Sequence, residues 1–231
     1  MSTAPKLRIG DTEVRRIGLG TNRLTNAPEH VALVKEAIAA GVDLIDTAHL
    51  YTGGASETAI GTALSPVPHG RIVATKGGFH PGEGRPEVLR AQIEESLAVL
   101  EEYRQRGKIE NIGLSEVGIE QIERAQEISP IVAVQNRYNL SERTHEDVVD
   151  YCAGEGIVFV PFFPLRGDGG HVLAEIAERR GASASQIALA WLLRRSPAML
   201  PIPGTLSIEH VKENLAALEV ELGDAEFDAF R

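Results

Sequence analysis

Short β-branched apolar runs alternate with longer amphipathic stretches along nearly the whole chain, the sequence form of repeated strand–helix units around a parallel sheet. Leu7 to Ile9 and Val14 to Arg16 flank Gly10-Asp11 and predict a small hairpin that plugs the bottom of a barrel. Ile17 to Asn22 reads as the first core strand. Pro28 suits the first turn of a helix with Val31, Val34 and Ile38 on its apolar face, and Gly41 suits its stop. Val42 to Thr47 comes next as the second strand, then a helix near Ser56 to Leu64 and a strand at Ile72 to Lys76.

Past Pro86 the apolar stripe runs Leu89, Ile93, Leu97, Leu100 and Tyr103 at helical spacing. It predicts one continuous helix from about Pro86 to Arg106, long for a barrel unit. Strands are expected at Ile112 to Ser115, Ile131 to Asn136 and Ile157 to Phe163, with helices at Ile119 to Ile128 and Thr144 to Gly154 between them. Helices over His171 to Arg180 and Ser185 to Arg195, a strand at Met199 to Ile202 and a helix from Ser207 to Leu218 complete the chain. The reading gives seven core strands rather than eight. No Gly/Ser linker, low-complexity tract or charge block interrupts it, so a single domain over 1–231 is expected.

Composition narrows the class. The chain has 231 residues, 43% hydrophobic and 24% charged, enough for one soluble domain with a full core. The single cysteine, Cys152, excludes an internal disulfide, and no arginine-rich or apolar leader precedes the first periodic segment, so a cytoplasmic location is expected. No apolar run approaches the roughly 20 residues that span a bilayer. A net charge of −10 argues against a nucleic-acid surface, while an anionic small cofactor still fits a locally basic pocket. No His/Cys/Asp/Glu spacing suggests a metal.

Candidate chemistry gathers where the second and third core strands end, in Asp46-Thr47-Ala48-His49-Leu50-Tyr51 and Ala74-Thr75-Lys76-Gly77-Gly78. Active sites of parallel barrels sit at that face. Adjacent parallel strands bring Asp46, Lys76 and the loop-borne Tyr51 within reach of one another. A free phenol with a pKa of about 10 is a poor acid at neutral pH, a neighbouring cation favours its phenolate, and a carboxylate holds that cation in place. The same spacing is equally compatible with a barrel-end salt bridge and a surface tyrosine.

Taken together the motifs resemble those of the aldo-keto reductases, particularly the bacterial and channel-β-subunit-like branch. The pieces are Gly18-Leu19-Gly20-Thr21, Asp46-Thr47-Ala48 with Tyr51, Ala74-Thr75-Lys76, Gly107-Lys108-Ile109 leading to Ile112-Gly113-Leu114-Ser115, Gln135 with Tyr138-Asn139-Leu140, Pro164-Leu165, Gln186 through Leu193, and Ile202-Pro203-Gly204-Thr205 through Glu213-Asn214. They run collinearly over almost the whole chain. The resemblance implies a TIM-type barrel of alternating strands and helices and an oxidoreductase that reduces a small aldehyde or ketone with NADPH, or with NADH. It further implies Tyr51 as the proton donor, Lys76 as the residue that tunes it and Asp46 as the partner of Lys76. Ser115 and Gln135 occupy positions that hold the nicotinamide carboxamide, and Phe162 one that stacks on its ring. Thr21 and Asn22 lie at the mouth of the first strand, Leu165 in the segment over the pyrophosphate, and Thr205, His210 and Asn214 at the adenosine end.

Against the family pattern, Glu116 stands where many relatives have an Asn, Gly204 where a Lys, and His210 where an Arg helps clamp a 2′-phosphate, so NADP rests on weaker grounds and NAD stays open. His210 also suits a solvent-facing place on the last helix. The largest departure falls between Leu100 and Glu101, where about one strand–helix unit, of the order of 30 residues, is absent together with the family's catalytic histidine. The loop from Gly78 to Arg85 is also short. His49 and His80 are the two histidines close enough in sequence to stand in, and each suits an ordinary loop position as well. Arg166 either adds positive charge beside Leu165 or faces water. Two classes stay open: a carbonyl reductase, and a non-catalytic or impaired relative that binds cofactor.

Overall fold

The computed structural model describes residues 6–77, 97–167 and 169–230. Gly10, in the left-handed region at φ +55°, turns the chain between β1 (Lys6–Ile9) and β2 (Thr12–Arg15), an antiparallel pair with Lys6 opposite Arg15. Ile9 and Val14 are buried in a cluster with Leu44 and Val158, the first residues of two core strands, so the hairpin closes that end of the core.

Strands and helices then alternate as expected: β3 (Leu19–Gly20), α1 (Pro28–Ala40), β4 (Leu44–Asp46), α2 (Ala55–Leu64), β5 (Ile72–Ala74), α3 (97–105), β6 (Ile112–Ser115), α4 (Ile119–Gln126), β7 (Ile131–Gln135), α5 (Glu146–Glu155) and β8 (Val158–Phe159). After these come α6 (Gly170–Arg180), α7 (Ala184–Arg195), α8 (Ile208–Ala216) and a short α9 (Asp224–Asp228). The periodicity does not predict the last, because five residues are too few to show a period. Helix α1 starts at Pro28 and stops at Gly41, whose left-handed φ of +110° lets its N–H reach the carbonyls of Ala37 and Ile38. Among the described residues, no helix is long and apolar enough to cross a membrane.

Two parallel sheets carry the core, β3-β4-β5 and β6-β7-β8, each in that order. Residues 199–204 join them: Met199 bridges to Phe159 and Gly204 to Gly20, with Leu200 N–H on the Phe159 carbonyl at 2.9 Å and Gly18 N–H on the Pro201 carbonyl at 3.0 Å. The expected strand at Met199 to Ile202 is therefore a pair of bridges rather than a ladder. Pro201 and Pro203 have no N–H to donate, which also shortens the neighbours β3 and β8 below their expected lengths.

The wall thus runs β5-β4-β3, then 199–204, then β8-β7-β6. Among the described residues six strands and this connecting segment stand where seven core strands were expected, and no ladder joins β5 to β6 into a closed barrel. Central β4 is wholly buried, whereas Ile72, Val73 and Ala74 of edge strand β5 are each only partly covered. Helix α3 runs through Leu100 without a strand, as its spacing predicts, while the stretch from Pro86 to Ser96, the loop from Gly78 to Arg85 and His80 lie outside the described residues. Its stripe behaves otherwise than expected, for Leu97 is buried but Leu100 and Tyr103 are exposed.

Gly20 shows how close the wall is packed beside the candidate site. A Cβ there would come within 2.8 Å of the Ile202 carbonyl oxygen, a backbone atom that cannot swing aside. Gly20→Ala should cost about 1–3 kcal/mol, the usual range for overpacking, and lower the unfolding temperature by several degrees in a thermal melt. An unchanged Tm would show that β3 and the 199–204 segment have slack.

Candidate active site

Strands β4 and β5 are parallel with Asp46 beside Ala74, so Asp46 and Lys76 emerge at the same end of the sheet. Their side chains are 4% and 15% exposed. Lys76 Nζ donates to both Asp46 carboxylate oxygens at 2.8 Å, to the Thr47 carbonyl at 2.8 Å and to the Tyr51 hydroxyl at 3.3 Å. An ammonium has three N–H groups and no lone pair, so carboxylate, carbonyl and phenol exhaust it. The phenol oxygen is therefore the acceptor, and its own proton is left free to point away from Lys76.

Tyr51 is delivered by a tight turn over Tyr51–Gly54, in which Thr52, Gly53 and Gly54 all take positive φ. Thr52 is tolerated there because its hydroxyl donates to the Leu24 carbonyl at 2.5 Å. Burial pushes the Asp46 carboxyl above its ordinary range, and the Lys76 charge and the hydrogen bonds from Lys76 and Gln135 pull it back.

Gln135 ends β7 beside Ser115 of β6 in parallel register. Its Nε2 donates to Asp46 Oδ1 at 2.9 Å across the mouth, and the Ser115 hydroxyl donates to the Gln135 carbonyl at 3.0 Å. Thr21 is buried, and its hydroxyl donates to the Asp46 carbonyl at 2.8 Å and meets Ser56 Oγ at 2.8 Å. Asp46, Lys76, Tyr51, Gln135, Ser115 and Thr21 thus form one bonded group. Asn22 lies in the open, its side-chain oxygen turned to Gly204.

The remaining expected residues sit around this group without bonding to it. Phe162 bridges to Arg137 and stands edge-on to Phe163 at 5.2 Å. Leu165 is exposed. Thr205 is buried, and its hydroxyl meets His210 Nδ1 at 3.3 Å, one turn before buried Asn214 on the same helix. The Gly20–Gly204 bridge sets this end beside β3. Arg166 stacks on the Phe163 ring at 3.9 Å, a contact that neither reading of the sequence anticipated.

Glu116 takes φ +55° and accepts from the Arg137 N–H at 2.8 Å, so its carboxylate is committed to the loop between β7 and α5. Sequence reasoning passed over Ser56, Glu57 and Thr75. Ser56 bonds both Thr21 and Thr47, while Glu57 accepts from Thr75 at 2.5 Å and holds His49 Nδ1 at 3.2 Å. The Ser-Glu pair opening α2 was the available signal, since small polar and acidic residues belong at a helix start. A cleft of about 450 Å³ lined by Arg143, Trp191, Arg195 and Phe227 lies on α5, α7 and α9, away from this group. Its Arg195 is already paired with Glu146 and with Asp150 at 2.7 Å.

The sequence pattern of the Aldo/keto reductase family matches residues 16–100, 92–172 and 168–231. An uncharacterized oxidoreductase of Schizosaccharomyces pombe is 33% identical over 273 residues, covering 98% of this chain and 89% of that protein. Pyridoxine 4-dehydrogenase of Escherichia coli is 34% identical over 267 residues, covering 94% and 93%. Both alignments exceed the 231 residues of this chain, which is shorter than these relatives and consistent with an internal deletion. The crystal structure of an aldo/keto reductase from Klebsiella pneumoniae in complex with NADP and acetate superposes with a TM-score of 0.84 at 26% identity, covering 99% of this chain and 94% of that one. The architecture is therefore the TIM-type α/β barrel of these proteins, and the chain belongs to the aldo/keto reductase family.

Proposed function

We propose that this chain, as one barrel domain over 1–231, reduces a small aldehyde or ketone to the alcohol with NADPH, Tyr51 giving the proton. The observation that carries the reading is the Tyr51 hydroxyl accepting from Lys76 while Lys76 is gripped by Asp46. Such a phenol presents its hydrogen outward, and a cation stays beside the oxygen as negative charge develops on it.

The residues present fit a nicotinamide. Gln135 uses one N–H on Asp46, which leaves a second N–H and the amide oxygen for a carboxamide, and the Ser115 oxygen stands next to it in register. Phe162 offers a ring three residues past the end of β8, at its bridge to Arg137. Leu165 would cover the pyrophosphate, with Thr21 and Asn22 at the mouth and Thr205, His210 and Asn214 toward the adenosine. The Klebsiella relative crystallised with NADP supports the phosphorylated cofactor, and His210 in place of an Arg leaves NADH usable. When bound, the dihydronicotinamide supplies the hydride to the carbonyl carbon, and Tyr51 protonates the oxygen.

One observation favours a second reading. Among the described residues no ladder joins β5 to β6 beside Lys76, and with the wall open there the chain would bind cofactor without efficient turnover. NADPH fluorescence titration and then an assay on an activated aromatic aldehyde separate the two, since binding without reduction selects the second. In the same titration Gln135→Ala combined with Phe162→Ala should weaken NADPH binding about tenfold or more, the loss of one stacked ring and one polar contact. An unchanged Kd would remove the nicotinamide from this place.

A further inference from the structure

The side-chain bond from Gln135 to Asp46 joins residues 89 positions apart in sequence and reaches the buried carboxylate that holds Lys76. We propose that Gln135 is a positioning residue for Tyr51: by donating to Asp46 it keeps that carboxylate ionised and Lys76 aimed at the phenol, an effect separate from any hold on the cofactor. The proposal rests on the reductase reading for its consequence in catalysis, but its structural part stands without turnover.

The chemistry of the pair fixes the direction of the bond. An ionised carboxylate only accepts, so Gln135 must turn its NH2 toward Asp46, and its amide oxygen faces elsewhere. Were Asp46 to take a proton, it would no longer need that donor and would release part of its grip on Lys76. Asp46 is nearly sealed from water, and among the described residues Lys76 and Gln135 are the side chains that donate to its carboxylate. Removing either leaves a buried carboxylate under-bonded. Lys76 is the charge that faces Asp46 among the described residues, with the Tyr51 phenol beyond it. His49 and Glu57, also at the mouth, bond to each other.

The pH effect has a definite sign. Burial raises the folded Asp46 carboxyl above its unfolded value, so the protein loses stability from this group as pH climbs from the unfolded to the folded titration. Without Gln135 the folded value rises further and the loss deepens. Thermal unfolding of Gln135→Leu against the parent between pH 4 and pH 8 should therefore show a Tm deficit that widens with pH. Gln135→Glu should behave alike, with a small deficit at low pH, where its carboxyl can still donate, and a large one near neutrality. In an Asp46→Asn background the Gln135→Leu deficit should no longer vary with pH. At saturating NADPH the acid limb of kcat should move up by about one pH unit, the size expected for a lost hydrogen bond to a charged group.

A Gln135→Leu deficit that is flat with pH, or equally pH-dependent in the Asp46→Asn background, would overturn the proposal. If the parent shows no turnover, the melts decide alone and the reductase reading fails separately.

Discussion

Tyr51→Phe is expected to remove most of the carbonyl reduction shown by this chain, lowering kcat by about 10²- to 10⁴-fold, the usual yield of a positioned proton donor. NADPH affinity should stay nearly intact. The substitution deletes one oxygen, bonded to Lys76 at 3.3 Å, and leaves the ring that Lys76 faces at 5.0 Å. Lys76 keeps Asp46 and the Thr47 carbonyl, so the rest of the site stays assembled. The loss should therefore fall on kcat and kcat/KM together, with the cofactor Kd unmoved, as for a group that acts in the transition state. A Tyr51→Phe enzyme as fast as the parent would mean that another group gives the proton. His49 is then the next candidate, though its ring is tied to Glu57 and mostly in solvent.

Much of this site was legible in the sequence because its geometry is carried by strand ends. Asp46 and Lys76 each close a β-branched run, and parallel register brings the two ends together whatever the loops do. Gly41 and Pro28 marked the limits of α1 to the residue, since each acts through its own backbone. Long-range side-chain bonds were not legible. Nothing local to Gln135 says that its amide will cross to Asp46, and nothing local to Glu57 says that it will hold Thr75 and His49 at once. The strand at Met199 to Ile202 illustrates a third case, where hydropathy identified the buried segment but two prolines changed how it bonds.

Restoring a strand–helix unit of about 30 residues between Leu100 and Glu101 should stabilise the chain and raise its activity. The junction is locally sound: Glu101 accepts from Arg104 at 2.6 Å and from Ser129 at 2.6 Å, and these bonds with Gln105 hold its carboxyl down to about 2. The apolar surface around the junction is poorly covered. Val99, Leu100 and Tyr103 are exposed on α3, and β5 keeps three partly covered side chains at its edge. An inserted strand would give β5 and β6 a common neighbour, adding roughly six ladder hydrogen bonds at about 0.5–1.5 kcal/mol each before the entropy of ordering the new segment. A net gain of about 3 kcal/mol corresponds to a Tm higher by about 10 °C at this chain length. Two insertions should be compared, one with a histidine at the end of the new strand and one with a phenylalanine there. Both should raise Tm, and the histidine form alone should raise kcat further, because only it adds a donor near the carbonyl oxygen. If neither insertion raises Tm, the edges of β5 and β6 were already satisfied and the shortened wall is a stable alternative to the full barrel.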